Sequence, residues 1–485
     1  MTDDGSLREV ERAILRRRPE SSIEPTLDRI AALAELLGDP QRAYPVIHIT
    51  GTNGKTSTAR MIDALLRARG LRTGRFTSPH LVSIRERICI DGQPIEADQF
   101  VALYQEIEPY LQLVDERLGV PLSFFEVLTG MAFAAFADAP VDVAVIEVGL
   151  GGTWDATNIA DGAVAVVTPV SLDHMQYLGE TVEEIAGEKA GIIKPGALAV
   201  LAQQSLPAAE VLLRRVSEVG ATVAREGLEF GVREREIALG GQQLTLQGLN
   251  GTYSELFLPL FGEHQATNAA CALAAVEGFA SAAEDGPVGS SGEPGPGGRA
   301  PLDVDLVRQA LAGLRSPGRL EVLRRSPAVI ADAAHNPSGM AATVAAVTEA
   351  FSLSRLVGVL AVSADKDVAG LLDELEPALS DVVVTHNSSD RSMSAEELGE
   401  LAGDVFGLDR VHVAARMDDA IEMAVTLADD TPDSDLPGGG GVLITGSVIT
   451  VGDARQLLLP DGPTTDLPGA DGGTGRHPFT AADLS

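Results

Sequence analysis

The stretch YPVIHIT-GTNGKTS-TARMIDALLRAR, residues 44–69, constrains this chain more than any other. Residues 44–50 form an apolar run that reads as a buried strand. Residues 56–69 read as a helix stopped by Gly70. Between them lies a tight turn with Gly51 and Gly54. Glycine permits backbone conformations that point successive N–H groups inward. Those donors, with the positive end of the following helix behind them, form a nest for phosphate oxygens. Lys55 adds a compact charge for the β- and γ-phosphates, and Thr56 and Ser57 offer hydroxyls, one within reach of a magnesium ion. Gly51, Thr52, Asn53, Gly54, Lys55, Thr56 and Ser57 are therefore candidate nucleotide-binding residues. The core GTNGK is tighter than the common GxxxxGK[ST] spacing. The structural alternative is a glycine turn that only joins strand to helix.

Composition sharpens the point about Lys55. The chain has 36 Lys+Arg, but only four are lysine: Lys55, Lys189, Lys194 and Lys366. Where arginine is favoured this strongly, a remaining lysine is a candidate for chemistry that arginine cannot do.

Strand and helix patterns alternate along most of the chain. Residues 141–148 (VDVAVIEV) and 162–170 (GAVAVVTPV) read as further buried strands, which implies βαβ units and a mostly parallel sheet. Residues 229–262 alternate with period two around GG and NG, the pattern of antiparallel hairpins. HQATNAACALAAVEGFA then returns to a small-residue helix. Residues 281–300 are rich in Gly, Pro and Ser and read as a flexible insertion. LRSPGRLEV (314–322) reads as a hinge before a second strand–helix series at 327–339, 355–363, 381–387, 410–415 and 441–447. The tail from 458 has turn formers and little apolar content, and is expected to be disordered.

At 485 residues the chain has room for two or three domains. Its net charge of −34 argues against a nucleic-acid surface, which needs clustered positive charge. A polyanionic small molecule fits only a locally positive pocket. There is no apolar run near membrane-helix length, and the charged N-terminus lacks the apolar stretch of a signal peptide. Cys89 and Cys271 make no disulfide framework, so a cytoplasmic protein with reduced thiols is expected.

A phosphate site calls for metal ligands at the carboxyl ends of neighbouring strands. Glu147 and His174 each follow a buried strand, and Ser78 follows the strand at 71–77; a Mg²⁺ ion would accept all three, with waters. A helix-capping acid and a surface histidine are the plainer readings of Glu147 and His174 taken singly. Lys189, in GEKAGIIKPG, is puzzling beside a metal. Its neutral amine can react with CO₂ to give a carbamate, an acquired carboxylate able to support a second metal; the alternative is an ordinary salt-bridging lysine.

These residues carry a resemblance. HITGTNGKTS, FTSPHLVSIRERI, SFFEVLTGMAF, VIEVGLGGTWDATN, SLDHMQYLG, IAGEKAGIIKPG, GEHQATNAA, SPGRLE, DAAHNP, ADKD and TGSVITVGDAR together make the chain resemble the folylpolyglutamate synthase/dihydrofolate synthase family, within the Mur ligase superfamily. The resemblance implies an α/β architecture. A P-loop parallel-sheet ATP-binding domain over 1–313 carries the 281–300 insertion. A smaller Rossmann-like glutamate-ligase domain spans 314–457, with a tail at 458–485. It implies Asn53, Gly54, Lys55 and Thr56 on ATP phosphates, with Asn268, Arg319 and Asp332 also contacting the nucleotide. Ser78, Glu147 and His174 would bind Mg²⁺, with two ions implied and Lys189 carbamylated; Lys55, Lys189 and His174 would be catalytic. Ser123, Phe124, Phe125, Glu126, Trp154, Asp155 and Ala156 would line the pterin side of the substrate pocket, with Glu24, Pro25 and Thr26 closing on it. His335 would join the substrate from the second domain. Two departures stand out: Thr56 where the family loop often has Gly, and Thr153-Trp154 where Arg-Leu often stand.

The implied activity is ATP-dependent addition of L-glutamate to dihydropteroate, to the γ-carboxylate of folates, or to both, through an acyl phosphate. The implied partners are small molecules only, and the implied state is monomeric. A cell-wall precursor ligase of the same superfamily and a non-catalytic nucleotide switch are the alternatives. Lys366 is either a surface lysine or a group that reaches the substrate or the Lys189 region. Arg391 is a candidate partner for a glutamate carboxylate.

Overall fold

The computed structural model describes residues 4–19, 24–285, 300–430 and 439–459. Most of the expected insertion (286–299) and nearly all of the expected tail (460–485) lie outside the described residues.

Val46–Thr50 is a fully buried strand, and Lys55–Ala68 is the helix that follows its glycine turn. The strand pairs in parallel with Val143–Glu147 on one side and Gly162–Val167 on the other. These three strands are buried on both faces, which is why they read as continuous β-branched runs and not as alternating ones. They form the centre of an eight-stranded sheet. Thr73–Phe76, Ile88–Ile90 and Gln93–Pro94 extend it on the Val143–Glu147 side; Leu198–Leu201 and Thr222–Arg225 extend it on the other. The strand Val46–Thr50 therefore lies between two strands that follow it much later in the chain. Such a reversal of strand order opens a crevice at the carboxyl ends. The phosphate loop, Glu147 and the segment after Val167 all emerge into that crevice.

Two helical layers cover the sheet. On one face, Lys55–Ala68 packs on Glu263–Asp285, whose alanines from Ala266 to Ala275 are almost all fully buried. Small side chains let these helices and the sheet approach closely. On the other face, Asp28–Leu36, Ala97–Leu118 and Phe124–Asp138 enclose a core with Phe76, Phe100, Phe133 and Phe136. Asp63 of the phosphate-loop helix accepts hydrogen bonds from Thr73 Oγ1 (2.5 Å) and Arg75 Nη1 (3.1 Å), fixing that helix to the next strand through a buried ion pair.

The expected hairpins are present as a three-stranded antiparallel sheet of Gly231–Ala238, Gly241–Gln247 and Thr252–Leu258. The second strand–helix series forms a separate six-stranded sheet. Its edge strand Glu321–Arg325 is antiparallel to Ala328–Ala331, and the remaining neighbours are parallel. Both cysteines are buried thiols. Among the described residues, no helix is long and apolar enough to cross a membrane.

Two histidines of the first half are held neutral. His48, in the central strand, is fully buried with Nε2 2.9 Å from Thr157 Oγ1; burial, and then the charge of Lys194, lowers its pKa to about 3. His80 accepts a hydrogen bond from Arg87 Nε at 2.9 Å, and burial with that cation lowers it to about 3 as well. Between about 3 and the ordinary value of 6.5 the unfolded chain binds more protons than the folded one. Stability contributed by the neutral rings is complete above about pH 6.5 and is lost as pH falls toward about 3, at a cost on the order of a few kcal/mol per ring. Denaturant unfolding at pH 7 and pH 4.5 tests this. The His48→Gln variant is expected to lose less stability between the two pH values than the unaltered protein, whereas equal losses would remove His48 from the account.

Candidate active site

The loop backbone takes the conformations that only glycine adopts readily. Gly51 has φ 146° and Gly54 has φ 88°. A Cβ at Gly51 would sit 1.8 Å from Thr168 Oγ1, and one at Gly54 would sit 2.4 Å from Asn268 Oδ1. The loop is thus clamped between the end of the neighbouring strand and the first turns of the Ala-rich helix. Asn268 lies directly against it.

Two lysines meet at this loop. Lys55 Nζ donates to the carbonyls of Gly51 (3.1 Å) and Thr52 (3.0 Å), and Lys189 Nζ donates to the same Gly51 carbonyl at 2.8 Å. Lys189 arrives from the far end of the helix Val182–Ala190, started by a Thr181/Glu184 capping box. Burial, reinforced by the Lys55 charge, lowers the Lys189 pKa to about 7. Burial also lowers that of Lys55, against the pull of Glu147 and Asp173.

Glu147 ends its strand facing Thr56. Thr56 Oγ1 donates to both carboxylate oxygens, at 2.9 and 3.0 Å, and the Ser78 backbone N–H donates to one of them at 3.3 Å. Burial raises the Glu147 pKa, although Lys55 and these hydrogen bonds oppose it. A buried carboxylate met by the Thr56 hydroxyl and the Ser78 backbone N–H is an oxygen-bearing site that fits a hard Mg²⁺ ion. Among the described residues no three His, Cys, Asp or Glu side chains form a metal cage. A magnesium site of this kind takes its remaining ligands from phosphates and water.

His174 stands at φ 51°, in the left-handed region, where the strand end turns into Met175–Leu178. Its Nε2 accepts from Lys366 Nζ at 3.2 Å, and burial lowers its pKa to about 4, so the ring is a neutral donor of a lone pair. The residue before it, Asp173, escaped the sequence reading. Asp173 accepts from Lys366 Nζ (2.6 Å) and Asn336 Nδ2 (3.0 Å), and His335 Nε2 lies 3.6 Å away. Burial alone would raise the Asp173 pKa. The His335 hydrogen bond and the surrounding cations outweigh it and hold the carboxyl well below the usual range. An acid immediately before a strand-end histidine was the available signal.

These groups share one pocket, lined by Gly51, Thr52, Lys55, Asp173, His174, Lys189 and His335 among others. His335, Asn336 and Lys366 come from the second half of the chain, so both halves build it. Arg319, half-buried in the segment 314–322, is near enough for its charge to act on both Lys55 and Glu147. Ser57 Oγ lies 3.5 Å from Ser316 Oγ of the same segment. Asp332 is engaged internally: Leu320 N, Ala334 N and Thr343 Oγ1 donate to its carboxylate, fastening Leu320 to the second sheet. Arg391 faces Asp365 at 3.7 Å on the surface.

The expected pterin-side residues divide. Ser123 and Glu126 form a capping box that starts Phe124–Asp138, and Glu126 is paired with Arg29 at 3.0 and 3.1 Å. Arg29 also holds Glu24. Asp155 caps the short turn Ala156–Ile159 and accepts from the Leu150 amide, and Ala156 is buried in the aromatic core. Phe124 lies under the Arg87 guanidinium, 5.0 Å from its centre. Phe125 and Trp154 remain half-buried, the first against Gly149 and Phe76, the second beside Gly151. The two aromatics flank the glycine-rich segment after Glu147.

The chain matches the Mur ligase middle domain over residues 49–276 and the Mur ligase glutamate ligase domain over 318–448. It is 52% identical over 474 residues to the dihydrofolate synthase/folylpolyglutamate synthase of Mycobacterium tuberculosis, covering 94% of each chain. A crystal structure of folylpolyglutamate synthase from that organism, complexed with ADP and AMPPCP, superposes with a TM-score of 0.87 at 51% identity, over 95% of this chain and 99% of that one. An FPGS–AMPPCP–folate complex superposes with a TM-score of 0.77 at 31% identity, over 93% and 99% of the two chains. By its motifs, its two large α/β sheets and these matches, the chain belongs to the folylpolyglutamate synthase/dihydrofolate synthase family of Mur ligases.

Proposed function

We propose that this protein is an ATP-dependent ligase that adds L-glutamate to dihydropteroate and to the γ-carboxylate of folates, working as a cytoplasmic monomer. We assign ATP binding to the unit 1–313 and glutamate addition to the unit 314–457. The observation that carries the reading is the convergence of Lys55 and Lys189 on one phosphate-loop carbonyl, with Glu147 on one side and His335 and Lys366 delivered by the other half.

The chemistry follows from the leaving group. An amine does not displace oxide from a carboxylate, so the acid must first become a mixed anhydride. In the first step the acceptor carboxylate attacks the γ-phosphorus of ATP, and ADP leaves with the bridging electron pair. In the second step the glutamate amine attacks the acyl carbon, loses a proton, and expels phosphate. Lys55 and the loop N–H groups offset the charge that gathers on the transferring phosphoryl. Asn268 and Arg319 hold the nucleotide, and His335, on the second half, faces the acceptor. Phe125 and Trp154 offer flat apolar faces for the pterin-side rings. Magnesium held by Thr56, Ser78 and Glu147 would neutralise phosphate charge. A neutral Lys189 amine is able to add to CO₂, releasing a proton and leaving a carbamate beside His174 for a second ion.

Mass spectrometry of products from dihydropteroate and from a reduced folate, each with ATP and glutamate, tests the function. Each acceptor is expected to gain one glutamyl residue with stoichiometric ADP. Turnover of a nucleotide-linked muramyl acid in their place would assign the chain to the cell-wall branch. Lys55→Ala is expected to remove both activities while circular dichroism and the melting temperature stay near those of the parent; normal turnover in that variant would refute the phosphate-loop assignment. Lys189→Ala is expected to lower turnover by about 10²-fold or more, with partial recovery on adding a small carboxylic acid. A variant that keeps full rate without the additive would show that no carbamate is needed.

A further inference from the structure

Asn53 belongs to the phosphate loop, yet its side chain turns away from the nest. Its Nδ2 donates to Asn336 Oδ1 at 3.1 Å and to Ser338 Oγ at 2.9 Å, and its Oδ1 accepts from Asn336 Nδ2 at 3.1 Å. An asparagine amide has two N–H donors. Both are spent on the second half of the chain, so neither is left for a phosphate oxygen. The partner is equally committed. Asn336 is 2% exposed, caps the helix Pro337–Ala350 by accepting from Gly339 N at 2.8 Å, and gives its other proton to Asp173. Ser171, next to the same crevice, meets Ser338 Oγ at 2.8 Å. The two amides thus face each other donor to acceptor in both directions, across 283 positions of sequence.

We propose that Asn53 and Asn336 are positioning residues: they form an amide-for-amide clasp that seats the second half of the chain on the phosphate loop, and Asn53 serves the reaction through this alignment and not by gripping phosphate. The neighbouring Gly51, Gly54 and Lys55 remain the phosphate-facing members of the loop. The clasp fixes where the helix Pro337–Ala350 begins, and His335 is the residue immediately before its cap. Its register therefore sets the distance between a group that faces the acceptor and the loop that presents the phosphoryl. Misplacement of such groups by about 1 Å costs rate steeply, on the order of 10²-fold. The consequence for turnover rests on the ligase reading above; the clasp itself does not.

The test uses the full-length chain with Asn53→Ala, Asn336→Ser and the double variant. Serine retains a good helix cap but is too short to span to Asn53. Turnover, ATP affinity by calorimetry, and the separation of the halves by small-angle X-ray scattering of the ligand-free protein are measured. Each single change is expected to lower kcat by about 10-fold or more and to shift the scattering toward a more open molecule, with ATP affinity altered by less than about twofold. The double variant is expected to be no worse than the poorer single, because both changes break one interaction. ATP affinity falling in Asn53→Ala while Asn336→Ser is silent would return Asn53 to the phosphate and overturn the proposal. Losses that multiply, or scattering that does not move in any variant, would also overturn it. If the unaltered protein forms no glutamyl product, the ligase reading fails, and the scattering still decides whether the clasp exists.

Discussion

One backbone carbonyl organises this molecule. Gly51 presents its oxygen to the ammonium groups of Lys55 and Lys189 together, in a crevice made where strand order reverses. Two cations cannot sit this close in a buried place without a cost, and the cost is divided unequally. Lys189, the deeper of the two, approaches neutrality near pH 7, whereas Lys55 retains Glu147 and Asp173 to favour its charge. The same carbonyl is therefore shared by two amines whose pKa values burial lowers, with Glu147 opposing the effect at Lys55. Gly51 is constrained to do this because its Cβ position is already filled by Thr168.

The second half of the chain adds groups that the first cannot supply. Lys366 bridges Asp173 and His174, and His335 approaches the same carboxylate. A complete site thus exists only when the two sheets face each other. Apolar contact supports that arrangement: Leu81 lies against the core that contains Val451 and Ala454. Arg235 is paired with Glu349 between the antiparallel hairpins and the helix Pro337–Ala350.

Much of this was legible in the sequence, for local reasons. Buried parallel strands are short β-branched runs, and a phosphate loop is a fixed arrangement of strand, glycine turn and helix, so Val46–Thr50, Lys55–Ala68 and Glu147 needed no tertiary knowledge. The three-stranded antiparallel sheet was equally readable from period two around GG and NG. The parts that failed to show are contacts between distant segments. Nothing near Asp173 announces Asn336 or Lys366, which lie 163 and 193 positions away. Ser123 and Glu126 are instructive in the other sense. Ser-Phe-Phe-Glu carries the spacing of a capping box, and the structure uses it so, with Glu126 further committed to Arg29. Asp332 likewise spends its oxygens on the Leu320 and Ala334 amides, which no pattern at DAAHNP discloses.

The scarcity of lysine has a practical side. None of the four is exposed: Lys189 is buried, and Lys55, Lys194 and Lys366 are partly covered. Three of them surround the same crevice, while arginine carries nearly all the positive charge elsewhere. Side-chain primary amines are thus almost confined to the centre of the molecule. Acylating or aldehyde reagents, which on most proteins decorate the whole exterior, would here find three of their four side-chain targets at the reaction centre, so that covalent labelling, once Lys194 is set aside, gauges how accessible that centre is.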